Sequence, residues 1–258
     1  MSSTMRKTYL SSFVLIYKDW NNRDWTYFTK SVVASKCLFG LVAGLILRRT
    51  RHYKYLQIIG ISIEMIGAGL LVSITDANTN TGTLVMSQIL SGMGGGLSVY
   101  SSRTAIQAAV SHQNMTMAIT TLVLFSSIGS AIGSAIAAVI WNSKTPTNLR
   151  KYMPSNITDE QVQTFFGNLK LLRKYPMGSP VRSAAIDAYI DTVYYLFAPA
   201  LGVLFISFIV CFFQKNYYLG DGQNAIEPEE HNNPEGDDGP DFVDRFLAKL
   251  AYKTRKDK

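Results

Sequence analysis

The sequence predicts an all-α integral membrane protein, and three observations carry that reading. The 258 residues are 47% hydrophobic and only 17% charged, and the apolar residues gather into blocks near the ~20 needed to cross a bilayer as a helix. Glycines cluster inside those blocks, as Gly92, Gly94, Gly95 and Gly96 and then as Gly129 and Gly133. A glycine costs about 1 kcal/mol relative to alanine in a water-exposed helix, whereas in lipid small residues let helix backbones approach closely. The basic residues behind the net charge of +7 sit beside the apolar blocks, where juxtamembrane anchors belong. No zinc finger, RNP motif or basic zipper accompanies them, so nucleic acid is not an expected partner.

Residues 1–26 hold a short apolar patch, 9–17, closed by Lys18-Asp19-Trp20. The patch is too short to span a bilayer and reads as the end of a preceding span or as an interfacial segment, followed by an exterior loop. The first full span is 27–47. Gly40 and Gly44 lie four apart on one face of it, a spacing suited to helix packing. Lys36 interrupts the run, either snorkelling to an interface or facing a substrate path. The basic loop Arg48-Arg49-Thr50-Arg51-His52-Tyr53-Lys54 is cytoplasmic by the positive-inside rule.

The second span, 55–74, carries Glu64 near its centre. A carboxylate there costs roughly 2.5–3.5 kcal/mol on insertion scales, so it faces the bundle interior or is protonated. It is the candidate for proton coupling; the alternative is a structural acid partnered by Lys36, Gln88 or Ser62. A polar turn at 76–83 leads to the third span, 84–100, where Gln88, Gly92, Gly95 and Val99 recur at near-helical spacing. Arg103, Gln107 and His112 follow in an inner connector. Lys36, Gln88, Arg103 and Gln107 are the candidate substrate-path residues, while His112 has no partner at ligand spacing and reads as a solvated loop residue.

The fourth span, 117–141, has a small face of Ser126, Gly129, Ser130, Gly133, Ser134 and Ala137, suited to packing or to lining a polar path. Gly40, Gly44, Gly92, Gly96, Gly129 and Gly133 are thus the candidate helix-packing glycines. Residues 142–191 form a polar exterior loop, with an amphipathic helix expected over 158–175 from the start signal Thr158-Asp159-Glu160-Gln161. Asn156 opens a glycosylation acceptor pattern, Asn156-Ile157-Thr158. The last span is 192–213, with Pro199 and Gly202 as potential kinks. Residues 214–258 form a cytoplasmic tail, largely disordered by composition, with one amphipathic helix expected over 242–252.

Cys37 and Cys211 offer neither a disulfide framework nor a metal-ligand spacing. No nucleophile–base set or metal cluster appears, and the run from Gly92 to Gly96 lacks the lysine and serine of a phosphate loop. Neither enzyme activity nor a metal or other cofactor is expected.

Several strings are more specific. Gly92-Met93-Gly94-Gly95-Gly96, then Ala105-Ile106-Gln107-Ala108-Ala109, resemble the late spans of fungal siderophore-iron transporters of the major facilitator superfamily. Gly129-Ser130-Ala131-Ile132-Gly133 and the run to Trp141 do so too. The loop adds Leu149-Arg150-Lys151-Tyr152-Met153-Pro154 and Tyr175-Pro176-Met177-Gly178-Ser179-Pro180-Val181-Arg182. The related fungal glutathione–proton exchangers are similar as well. The resemblance implies a partial major-facilitator bundle of about five transmembrane helices, the C-terminal part of a proton-coupled carrier, not competent alone. It implies a ferric siderophore or glutathione as substrate, protons as coupling ion, and a plasma, endosomal or vacuolar membrane. Its alternative is a non-transporting membrane protein that associates with full-length relatives. In that family the loop before the last span handles substrate, which carries over to Tyr175, Arg182 and Tyr189. Residues 44–54 resemble the superfamily's basic inter-span motif, with Arg48 where an aspartate often stands.

Overall fold

The computed structural model describes residues 1–73, 80–154, 157–176, 178–215 and 219. Asn156, the turn at 76–79 and almost all of the tail, including 242–252, lie outside the described residues. Every secondary-structure element among the described residues is a helix: α1 Ser2–Tyr17, α2 Asn22–Thr50, α3 Lys54–Val72, α4 Thr81–Ala108, α5 Met115–Tyr152, α6 Asp159–Gly167, α7 Leu169–Leu172 and α8 Pro180–Phe212, with a 3-10 turn at His112–Asn114.

The helices overrun the expected spans because bilayer thickness sets a minimum for the apolar run, whereas local capping sets the helix ends. Asn21 accepts from the Asn22 N–H, and Asn80 accepts from the Gly82 N–H at 3.2 Å. Ser179 starts α8, with Pro180 at the first helical position. Proline is tolerated there because its missing N–H has no intrahelical partner to lose. The stop after α2 uses Arg51 in the left-handed region, φ 56°, its N–H on the Leu47 carbonyl at 2.9 Å. The reading of 142–191 as loop is corrected: α5 continues to Tyr152 and α8 begins at Pro180, leaving 153–179 between them. The amphipathic helix expected over 158–175 is two pieces, α6 and α7, parted at Asn168. Its start is the capping box formed by Thr158 and Gln161. Arg103 and Gln107 lie in α4, not in a connector.

Two packing groups build the molecule. In the first, α4 lies between α2 and α3, and its glycines serve both neighbours. A Cβ on Gly92 would sit 2.5 Å from the Val32 carbonyl oxygen, and one on Gly96 would sit 2.7 Å from that of Lys36. A Cβ on Gly94 would strike the backbone of Glu64 and Gly60. The register follows: Gly92 to Val32 and Gly96 to Lys36 makes α2 and α4 parallel, while Gly94 to Glu64 and Ser91 to Gly67 makes α3 antiparallel to both. Van der Waals contact at backbone distance replaces the hydrophobic effect as the force between helices in lipid.

The second group is α1, α5 and α8, packed through large side chains. Tyr9 stacks on Trp141 with ring centroids 4.3 Å apart, and Trp141 meets Tyr189 at 5.5 Å. Phe13, Tyr17, Phe197 and Leu149 are fully buried in the same core. Asn148 donates to Thr192 at 3.0 Å inside the α5–α8 contact, satisfying two polar groups that water cannot reach. The groups meet where α3 packs on α8 and α4 on α5. The 9–17 patch therefore belongs to a helix that starts at Ser2 and is buried in the bundle.

Four helices are long and apolar enough to cross a membrane: α2, α3, α5 and α8. The third expected span, within α4, has the length but not the hydropathy. Its interior carries glycine and serine because α2 and α3 cover it, so it needs little hydrocarbon of its own. Large apolar side chains are exposed on α5, among them Val123, Leu124, Phe125, Ile128 and Val139. The protein is an all-α integral membrane protein.

Candidate functional site: a charged cluster between the helices

Glu64 lies near the middle of α3, on the face that meets α4. Its partner is Arg6 of α1, whose Nη2 donates to Glu64 Oε1 at 2.8 Å while Nη1 donates to Ser91 Oγ at 3.0 Å. Both charged residues are buried, Arg6 at 4% exposure and Glu64 at 8%. The expected partners of Glu64 were Lys36, Gln88 or Ser62. The structure corrects this: Ser62 donates to the Ile58 carbonyl of its own helix, and Lys36 is exposed on α2. Arg6 was missed because it sits in a stretch that reads as a polar N-terminus, 58 residues from its partner.

An ion pair removed from water persists only when well aligned and supported by further hydrogen bonds. Ser91 supplies one such bond, and Gly95 leaves room beside Glu64, whose Oε2 would be 3.9 Å from a Cβ there. Arg6 Nε is buried with no partner among the described residues, so the cluster is not saturated. Gln88, also buried, lies one turn before Ser91 on the same side of α4.

The four candidate path residues therefore divide. Gln88 belongs near the Arg6–Glu64 cluster, while Lys36 and Arg103 are exposed and Gln107 half-buried. The packing glycines divide as well. Gly40 lies under the ring of Tyr100, Gly92 and Gly96 lie on α2, and Gly133 lies against Met1, but no atom is within 4 Å of a Cβ at Gly44 or Gly129. GxxxG spacing marks a face, and only the fold decides which of its members meets a neighbour.

At the end of the bundle that carries 18–21 and 153–179, Arg182 is 1% exposed. Its guanidinium spans both carboxylate oxygens of Asp19, with Nη1 to Oδ2 at 3.2 Å, and also donates to the Tyr175 carbonyl at 3.1 Å and the Ile16 carbonyl at 3.2 Å. This placement differs from the expectation of a substrate contact. The side chain is occupied in tying the end of α1 to the start of α8, and Arg173 adds a bond to the Trp20 carbonyl at 3.1 Å. Tyr189 is likewise buried, against Trp141. Of the three loop candidates only Tyr175 is exposed, its ring meeting Phe165 edge-on at 6.0 Å. At the opposite end Tyr53 donates to the Lys215 carbonyl at 2.6 Å, and the Leu219 N–H donates to the Arg51 carbonyl at 3.1 Å. No group of His, Cys, Asp and Glu suited to a metal ion occurs among the described residues.

The chain is 41% identical over 237 residues to a low affinity heme transporter of Schizosaccharomyces pombe, covering 92% of this chain and 38% of that protein. It is 34% identical over 261 residues to a siderophore transporter of Mycosarcoma maydis, covering 99% and 39%. It is 29% identical over 198 residues to an MFS siderochrome iron transporter of Ajellomyces capsulatus, covering 76% and 34%. The chain thus spans less than two fifths of the length of these relatives. No family model matches it, and no solved structure matches it. Matched along most of its own length by named siderophore and siderochrome transporters, the chain belongs to the fungal siderophore-iron transporter family of the major facilitator superfamily.

Proposed function

We propose that the chain is part of a proton-coupled transmembrane carrier of the siderophore-iron type, moving a ferric chelate, and that it works only with the remaining spans. The supporting observation is the Arg6–Glu64 pair, a buried acid and base at mid-helix depth in a chain similar to transporters over 92% of its length. Ionisable groups within membrane spans are costly and are retained where ions or protons move. Proton arrival at Glu64 removes the charge that holds Arg6 and frees α1 from α3. Alternating access rocks one helical repeat against another around a midplane site, and a releasable tie between α1 and α3 is suited to that motion. Glutathione exchange is the alternative substrate reading within the same mechanism, and no enzymatic step is assigned. The membrane is the plasma membrane or an endosomal or vacuolar one. The Arg48–Lys54 end and the tail are cytoplasmic by the positive-inside rule.

The experiment is uptake of radiolabelled ferric siderophore in fungal cells stripped of full-length relatives. The chain alone is expected to give no flux, and flux is expected when the missing spans of a relative are co-expressed. In that assembly Glu64→Gln should abolish the dependence of flux on external pH. Flux with an unchanged pH profile would reassign Glu64 to structure, and transport by the chain alone would end the partial-carrier reading.

A second reading, association with full-length relatives without transport, is favoured by the exposed apolar face of α5 and the unoccupied Gly129 on it. A tagged copy is expected to co-purify with a relative in mild detergent, and Gly129→Leu to weaken that recovery. Recovery of the tagged chain alone would remove this reading.

A further inference from the structure

Two cations outside the Arg6–Glu64 cluster face away from the packed core. Lys36 is exposed in the middle of α2, about 21 Å from either end at 1.5 Å per residue. Gly96 receives the Lys36 backbone and Gly94 receives that of Glu64, so Lys36 lies level with the buried ion pair, on the other flank of α4. Arg103 is exposed two turns further along α4. Neither has an ion-pair partner among the described residues.

The helical register assembles them. Gly96, Tyr100, Arg103 and Gln107 recur at steps of four, three and four, the spacing of one helix face. Because α2 runs parallel to α4, Lys36 borders that face at Gly96, and Tyr100 lies over Gly40 one turn on. Tyr100 remains 41% exposed. The next turn of α2 offers Gly44, exposed and with nothing within 4 Å of a Cβ, which leaves space beside Arg103. The seam carries two cations, a phenol and an amide. Its own helices bring no acid to it, since α4 has none and α2 has only Asp24 in its first turn.

A lysine at mid-depth facing hydrocarbon costs roughly 2.5–3.5 kcal/mol, so this seam is matched to a polar, negatively charged occupant. We propose that the α2–α4 seam is an anion-binding wall of the transport path, selecting iron chelates of net negative charge. Lys36 anchors the anion at mid-depth, Tyr100 and Gln107 donate hydrogen bonds to its oxygens, and Arg103 draws it toward the Arg48–Lys54 end. The inference rests on the carrier reading above and names the charge class of its substrate.

The test uses the whole chain in nanodiscs of zwitterionic phosphatidylcholine, with two probes. One is a trianionic ferric tris-catecholate and the other a neutral ferric tris-hydroxamate, each titrated by equilibrium dialysis. The anionic probe is expected to bind at least about tenfold more tightly, the scale of one charge-assisted hydrogen-bond pair, and to weaken with added salt. Lys36→Gln with Arg103→Gln should erase the preference, Lys36→Arg should keep it, and equal thermal unfolding midpoints show that each variant is folded. Equal affinity for the two probes, a preference that survives the double substitution, or no binding of either overturns the proposal. Flux in the assembled carrier that ignores the double substitution overturns the seam while leaving the carrier intact. Absence of any flux from the wild-type assembly counts against the carrier instead.

Discussion

Replacing Arg6 with methionine is expected to destabilise the chain by about 3–5 kcal/mol, the cost of leaving a buried charge uncompensated. Methionine nearly matches the volume of the arginine stem, so packing in the α1 core is kept while Glu64 and Ser91 lose their donor. The double variant Arg6→Met with Glu64→Gln should recover most of that loss, because two well-packed neutral groups of similar shape can equal a buried ion pair. Thermal unfolding of the detergent-solubilised chain, followed by loss of monodisperse protein, reads both. If Arg6→Met melts with the parent, the pair contributes no stability. If the double variant is as unstable as the single one, the loss comes from α1 packing and not from charge.

Gly94→Val should be at least as damaging, and for a different reason. The side chain would have to occupy the space held by the Glu64 and Gly60 backbones, and neither can yield without separating α3 from α4. Overpacking a closed site commonly costs 1–3 kcal/mol when side chains can shift; here only main chain is available to move, so about 3 kcal/mol or more is expected. Gly129→Ala supplies the contrast. No atom lies within 4 Å of its Cβ position, so alanine should leave the melting point equal or raise it slightly through better helix propensity. Matching melting points for Gly94→Val and Gly129→Ala would mean that α3 and α4 do not pack through this glycine.

These two cases show what was legible beforehand. The apolar blocks locate the helices because spanning lipid requires about 20 apolar residues, a local property of the chain. The capping box at Thr158 was legible for the same reason: it needs four residues and no partner from elsewhere. Helix ends were less so, since Asn80 and Ser179-Pro180 start helices outside the apolar stretches. Arg6 was invisible as a site residue because its meaning depends on Glu64, and nothing local distinguishes it from a solvated terminal arginine. Arg182 shows the converse. Its motif directed it to substrate, but Asp19 meets it across 163 residues and turns it into a tie between α1 and α8. Gly44 and Gly96 look alike in sequence, yet only Gly96 has a neighbouring helix against it.

The glycine-lined contacts of α4 have a mechanical consequence. Backbones that touch at fixed register on two opposite flanks cannot slide past one another by a side-chain rearrangement, because there are almost no side chains between them. α2, α3 and α4 should therefore shift as one slab, with slow amide exchange through Gly92–Gly96, while displacement is taken up where this slab meets α1, α5 and α8. On that surface the tie between α1 and α3 is the Arg6–Glu64 pair, so release of one ion pair bears on how all three helices move.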